Sequence, residues 1–104
     1  MSVARINTFI AKNDSADELR AFLSDVCSHI RKCPGNLSAE LMQNQDRTSE
    51  FVVVEHWTTK EAHQNSAKEI PADQMEKALS LLASKPTGTY FNDFSLELSE
   101  QDYF

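Results

Sequence analysis

The sequence has few of the residues that usually mark flexible loops, cross-links or membrane segments. Of its 104 residues, 2 are Gly, 3 are Pro and 2 are Cys. With so little glycine, the chain has no loop that could wrap around a phosphate group. No apolar run approaches the ~18 residues that a membrane-spanning helix needs, and Met1–Arg5 is too short and too polar for a signal peptide. We therefore expect a cytoplasmic protein that binds no membrane.

Basic residues are also scarce, since 10 Lys and Arg stand against 16 Asp and Glu, for a formal net charge of -6. An acidic surface repels phosphate backbones, so we expect no nucleic-acid partner. Cys27 and Cys33 lie on different sides of a predicted helix and match no zinc-binding spacing, which favours free thiols. His29, His56 and His63 form no cluster with metal-ligand spacing. We therefore predict no metal site and no other cofactor.

Hydrophobic residues make up 40% of the chain, which is enough for one buried core. The prediction is a single domain over residues 1–104, of which 98–104 form an acidic tail. A period of two predicts strands, and apolar residues at i, i+3 and i+4 predict helices. In chain order the predicted elements are a strand over Val3–Lys12, a helix between Asp14 and Pro34, a hairpin of Leu37–Gln45 with Phe51–Trp57, helices over Lys60–Glu69 and after Pro71, and a strand over Gly88–Leu98.

Two local patterns refine the predicted helices. Asp14 or Ser15 can cap the start of the first helix, and Ser15 and Glu18 have the spacing of a capping box. On the last helix, Met75, Leu79 and Leu82 lie on one apolar stripe.

The element order β-α-β-β-α-β is that of the ferredoxin-like α+β fold, in which helices cover one face of an antiparallel sheet. The strand that leads to Trp57 has apolar side chains on both faces. Val52 and Val54 point one way, whereas Phe51 and Val53 point the other. Helices on one side leave the other face open, and a second sheet would cover it. We therefore expect a homodimer.

Segments around the predicted hairpin match a known family. Pro34–Leu37 follows the first helix, Gln45-Asp46 stands at the hairpin turn, and Phe51–Ala62 combines a hydrophobic strand, a Glu-x-Trp motif and a helix start. In these features the chain resembles the antibiotic biosynthesis monooxygenase-like domains of the dimeric α+β barrel superfamily, which include cofactor-free quinol monooxygenases. The resemblance extends over about Val3–Phe94. It implies a homodimer joined sheet to sheet, and a pocket between the sheet and the helices of each subunit.

The resemblance also has departures. The family commonly places a His nine residues after the motif's Trp, where this chain has Ser66, but His63 stands one helical turn earlier on the same face. Polyketide-tailoring members place an Asn four residues before that Trp, where this chain has Val53, although Asn7 resembles an Asn that the family carries on its first strand. The heme-degrading pattern requires a Trp at Ser66 and a His at Glu76, so heme degradation is disfavoured.

Three residues are the catalytic candidates that the resemblance implies. Trp57 would wall the substrate, His63 would act as a general base, and Asn7 would hold the resulting oxyanion. The ordinary alternatives are a core tryptophan, a surface histidine and a hydrated strand asparagine. Three further residues are the substrate-binding candidates: Phe22, Ser66 and Tyr90.

His56 and Glu55, two neighbours of Trp57, are not among the catalytic candidates. His56 alternates away from Glu55 and Trp57 and cannot share their face of the strand. Glu55 matches the family's Glu, which the resemblance places in a structural role at the dimer sheet.

The resemblance thus implies a cofactor-independent monooxygenase that oxidises a quinol or an aromatic polyketide-like molecule. Its expected partners are a second copy of the chain, a small aromatic or quinone-like substrate, and dioxygen. The alternatives are an isomerase or other small-metabolite enzyme on the same fold, and a non-catalytic dimer that binds a small molecule.

Overall fold

The structure, a computed structural model, describes residues 2–95. The predicted 98–104 tail and the last residues of the predicted final strand lie outside the described residues, and the single-domain boundary stays a prediction. The elements are β1 (Ser2–Ile10), α1 (Ala16–Ile30), β2 (Asn36–Gln43), β3 (Glu50–Trp57), α2 (Lys60–Ala67), α3 (Ala72–Ser80) and β4 (Thr87–Asp93).

The four strands form one antiparallel sheet in the order β2-β3-β1-β4, with the helices on one face. This confirms the predicted α+β, ferredoxin-like arrangement. Within the described residues, however, the final strand ends at Asp93, and Phe94 and Ser95 do not continue it as predicted. The backbone N–H of Ser95 donates to Asp93 Oδ1 at 2.9 Å, and this local turn competes with continued strand pairing.

The predicted helical region after Trp57 divides at Pro71, as the sequence indicates. Thr59 caps α2, because its hydroxyl accepts from the backbone N–H of Ala62 at 3.1 Å. Pro71 stands at the N-cap of α3. Ser15 stands at the N-cap of α1 but makes no side-chain capping bond, so the predicted capping box does not form. Its φ of -110° and ψ of 4° differ from the extended geometry that such a cap requires.

The core lies between α1 and the helix-covered face of the sheet. Leu19, Leu23 and Cys27 of α1 pack against Phe51 and Val53 of β3. Along β3 the buried residues alternate with half-buried ones, as a strand with one core-facing side requires. Both cysteines of the chain are free thiols, as predicted.

The helices leave the opposite face of the sheet uncovered within residues 2–95. Ile6, Val52 and Val54 lie half-buried on this face, and Met42 and Phe91 are 48% and 49% exposed. The register pairs Ile6 with Val54 and Met42 with Val52, so the apolar side chains are neighbours. We call this surface, defined by Ile6, Met42, Val52, Val54 and Phe91, the open face.

The apolar stripe predicted on the last helix packs only in part. Leu82, just after α3, is buried, but Met75 and Leu79 on the helix are about half exposed. The helix therefore rests on the fold through its C-terminal end. None of the helices in residues 2–95 has the length and apolar character needed to span a membrane.

Candidate functional site

The strand register lines up polar side chains on the helix-covered face of the sheet. Arg5 of β1 is opposite Glu55 of β3 on one side and Tyr90 of β4 on the other. Two residues further along each strand, the same face carries Asn7 and Trp57. Because β1 lies between β3 and β4, residues far apart in the sequence share one small area of the sheet.

Helix α2 places His63 in contact with these side chains of the sheet. His63 Nδ1 is hydrogen-bonded to Tyr90 Oη at 2.5 Å. The imidazole also meets two aromatic rings edge to face, with centroids 5.3 Å from Tyr90 and 5.6 Å from Trp57. The structure therefore brings together the predicted residues His63, Trp57 and Tyr90.

A buried carboxylate completes the group. Glu55 is only 4% exposed, and its Oε1 accepts from Trp57 Nε1 at 2.9 Å while its Oε2 accepts from Asn7 Nδ2 at 2.8 Å. His63 Nε2 lies 3.9 Å from Oε1. The expected place of Glu55 at the dimer sheet is therefore wrong. Its even spacing from Trp57 puts both side chains on the helix-covered face, and that spacing was the signal in the sequence.

Arg5 is a second member that the sequence reasoning missed. Its Nε donates to Asn7 Oδ1 at 3.1 Å, so the Asn7 amide joins Arg5 to Glu55. The Arg5 guanidinium carbon lies 4.4 Å from the ring centroid of Tyr90, and Lys60 Nζ lies 4.9 Å from the same centroid. The position of Arg5, two residues before Asn7 on one strand, places it on the same face.

Burial shifts the pKa values of Glu55 and His63 in opposite directions. It raises the pKa of the Glu55 carboxyl, although the hydrogen bond from Trp57 and the charge of Arg5 act the other way. It lowers the pKa of His63, and the charge of Arg5 lowers it further. His63 is therefore neutral near pH 7, and a neutral imidazole can accept a proton.

The structure does not join the other two substrate-binding candidates to this group. Phe22 packs against the core, with Lys77 Nζ 5.8 Å from its ring centroid. Ser66 Oγ donates to the backbone carbonyl of His63 at 2.8 Å. Ser66 lines a half-open depression of about 330 Å³, whose full lining is Pro34, Gly35, Ala62, Asn65, Ser66 and Glu69. Helix packing, which spacing alone does not fix, places Ser66 at this depression.

The remaining histidines lie elsewhere. His56 is on the open side of the sheet, as predicted, and its Nδ1 donates to Asp93 Oδ2 at 2.9 Å. Hydrogen bonds from Ser95 and His56 lower the pKa of Asp93 to about 2. His29 is exposed on α1. Among residues 2–95, no group of three or more His, Cys, Asp or Glu side chains is arranged to hold a metal ion.

Solved structures share this fold. The protein Rv0793 of Mycobacterium tuberculosis is 23% identical, with a TM-score of 0.77 over 89% of this chain and 95% of that one. A Nitrosomonas europaea protein is 15% identical, with a TM-score of 0.82 over 90% and 91%. SnoaB, a cofactor-independent oxygenase from Streptomyces nogalater, is 17% identical, with a TM-score of 0.75 over 88% and 92%. At these identities the likeness shows the fold alone.

Sequence comparison extends the assignment from fold to family. No curated protein matches the chain at a significant level. The profile of the family described as antibiotic biosynthesis monooxygenase matches residues 2–78, which is most of the chain and includes β1, β3 and α2. The chain therefore belongs to the antibiotic biosynthesis monooxygenase family.

Proposed function

We propose that the protein is a cofactor-independent monooxygenase that oxidises a quinol or an aromatic polyketide-like molecule with dioxygen. The observation that carries the proposal is the hydrogen bond between Tyr90 and the neutral, largely buried His63, with the Glu55 carboxyl behind it. Family membership supports the proposal. So does the shared fold of SnoaB, a cofactor-independent oxygenase.

The first step is removal of a proton from a substrate hydroxyl. In the neutral site the Tyr90 hydroxyl donates to His63 Nδ1, so that nitrogen is the proton acceptor. As the substrate hydroxyl gives its proton to Tyr90 Oη, Tyr90 passes its own proton to His63. Glu55 Oε1, 3.9 Å from Nε2, stabilises the imidazolium that forms. His63 thus acts as the base through Tyr90.

The second step uses the substrate anion as the electron donor. One electron passes to dioxygen, and the resulting superoxide joins the substrate radical at a ring carbon to give a peroxide. A proton from His63 neutralises the peroxide. The O–O bond then breaks and the ring carbon loses its hydrogen, so that one oxygen atom stays as a quinone carbonyl and the other leaves as water.

Asn7 and Trp57 keep the roles that the resemblance implied. One N–H of the Asn7 amide is held by Glu55, and the amide has a second N–H that can donate to a substrate oxygen. Trp57 is fully buried behind His63, and it keeps water from that side of the imidazole. A lower local dielectric strengthens both contacts to the anion.

We also propose that the active form is a homodimer. The five apolar side chains of the open face are neighbours and are uncovered in the single chain. A second copy with the same face is a self-complementary partner, because two apolar sheets would exclude water from each other. The His63–Tyr90 group lies on the opposite side of the sheet, so contact through the open face would not cover it.

The direct test is oxygen consumption by the purified protein with a panel of quinols and polycyclic phenols. A chelator is present and flavin is absent, and the products are identified by mass. We expect consumption of one dioxygen for each quinone formed. Absence of oxygen uptake across the panel, or uptake only after addition of metal or flavin, would contradict the proposal.

A further inference from the structure

Two basic side chains converge on the ring of Tyr90. The Arg5 guanidinium carbon lies 4.4 Å from the ring centroid, and Lys60 Nζ lies 4.9 Å from it. Each contact alone is an ordinary cation–π interaction. Two cations beside one ring repel each other, however, and the chain as a whole has a net charge of -6. A local excess of positive charge in an acidic protein favours a negatively charged occupant.

No carboxylate within residues 2–95 forms an ion pair with either cation. The ion pairs of this part of the chain are Arg20–Asp17, His56–Asp93 and His63–Glu55. Glu55 is the acidic group of the site, and it already accepts hydrogen bonds from Trp57 and Asn7. Arg5 donates through Nε to Asn7. Within the described part of the chain its two Nη groups make no hydrogen bond, so they are available to a ligand.

The sheet has space for the Arg5 guanidinium at Gly88. It lies over Gly88, which pairs with Asn7 in the register of β1 and β4. A Cβ atom at residue 88 would stand 2.5 Å from Arg5 Cζ and 2.6 Å from Asn7 Oδ1. Such contacts are far closer than van der Waals distance, so the absence of a side chain at Gly88 leaves room for the guanidinium in this position.

We infer that the site selects an aromatic hydroxy compound that also carries a carboxylate, and that Arg5 and Lys60 bind this carboxylate. The inference rests on the proposed function for the reacting hydroxyl, which meets Tyr90 Oη. The planar guanidinium presents its N–H groups in a fork that matches the two oxygens of a carboxylate. The ammonium of Lys60 adds a second charge at the exposed edge of the site.

The test compares two quinols that differ only in charge, gentisate and its methyl ester. Trp57 is the only tryptophan of the chain and contacts His63, so its fluorescence reports binding. We expect gentisate to bind ~10-fold or more tightly than the ester, the usual advantage of a charge-assisted hydrogen-bonded pair. The advantage should shrink as salt is added. Equal affinities for the two quinols would overturn the inference.

Three variants test whether Arg5 and Lys60 cause the preference for gentisate over its methyl ester. Arg5→Gln and Lys60→Gln each remove one charge, and each should reduce the preference for gentisate. Gly88→Ala keeps both charges but displaces the guanidinium, so it should reduce the preference as well. Lys68→Gln removes a charge just beyond the other end of α2 and is the matched control, which should keep the preference. A preference that survives Arg5→Gln and Gly88→Ala would overturn the inference, provided that circular dichroism shows both variants folded.

Oxygen uptake measured on the same two quinols separates this inference from the proposed function. Tight binding of gentisate without oxygen uptake supports the anion site and contradicts the monooxygenase. Oxidation of both quinols with equal affinity supports the monooxygenase and contradicts the anion site.

Discussion

At the scale of single residues, Glu55 connects most of the polar contacts of the site. It accepts from Trp57 and Asn7 and lies 3.9 Å from His63 Nε2. Burial raises the pKa of Glu55, so the native state holds its proton at pH values where the unfolded state has lost it. In that window, just above the ordinary glutamate value, the free energy of unfolding falls as pH rises.

We therefore predict that Glu55→Gln removes this loss of stability. Urea unfolding between pH ~4 and ~7 should show the stability of the variant rising relative to the wild type as pH increases. Turnover at neutral pH should fall, because the imidazolium of His63 loses its carboxylate neighbour. A stability difference that does not vary with pH would contradict the assigned shift.

The pH dependence of turnover tests the second shifted group. His63 accepts a proton only when neutral, and burial together with the charge of Arg5 lowers its pKa. The rate should therefore be lost on acidification only below the ordinary histidine range. In Arg5→Gln this acid limb should move to higher pH, because one cause of the shift is removed.

Arg20→Gln is the control for this pH profile, since Arg20 pairs with Asp17 on the surface of α1. We expect its acid limb to coincide with that of the wild type. Coincident profiles in Arg5→Gln and Arg20→Gln would show that the charge of Arg5 does not act on His63.

At the scale of elements, the junction between the first helix and the second strand sets the position of α2. Gly35 has a φ of +85°, and its carbonyl accepts from the backbone N–H of Thr58 at 2.8 Å. A Cβ at this residue would lie 2.7 Å from Ala62 Cβ and 3.0 Å from Thr58 Oγ1. This close approach fixes the position of the start of α2. Helix α2 in turn places His63 over the sheet.

Gly35→Ala should therefore lower the free energy of unfolding by about 1–3 kcal/mol, from an unfavourable φ and a clash with α2. Gly88→Ala is the matched control, because the atoms in its way include the flexible end of Arg5 and its φ is not in the left-handed region. Chemical denaturation of both variants checks the difference. A loss in Gly88→Ala as large as in Gly35→Ala would contradict this account of the junction.

Most elements could be predicted from periodicity, because burial on one face imposes a period on the side chains. β3 shows this clearly, because Phe51 and Val53 share one face as predicted, and that face is the one in the core. The end of β4 and the cap of α1 could not be predicted, because each depends on a local turn. The turn at Asp93 ends the strand, and the backbone of Ser15 prevents its side-chain cap.

The site was predictable only where strand alternation decides the side of a residue. Alternation puts Arg5 on the face of Asn7 and Glu55 on the face of Trp57, but only the register of β1 with β3 brings these two sets together. The contact between His63 and Tyr90 forms because β4 lies beside β1 and because α2 packs over the sheet. Neither follows from spacing along the chain, and the same holds for the different position of Ser66.

At the scale of the whole molecule, we propose that the open face joins two copies of the chain. We predict a mass of about twice 11.8 kDa by light scattering at micromolar concentration. Phe91→Lys places a charge among the apolar neighbours of this face and should shift the mass toward one chain. Leu79→Lys makes the same kind of change on an exposed helix residue and should leave the dimer intact. A wild-type monomer, or equal effects of both variants, would contradict a dimer formed through the open face.

The comparison of His63→Gln with His56→Gln tests the central claim most directly. Both variants replace an imidazole by an amide that cannot act as a base near neutral pH, but His63 contacts Tyr90 and His56 lies on the opposite side of the sheet. With a quinol that the wild type oxidises, oxygen uptake should fall by ~10²-fold or more in His63→Gln, the usual contribution of one general base, and should change little in His56→Gln. Equal rates in the two variants, or the larger loss in His56→Gln, would contradict the assignment of His63 as the base.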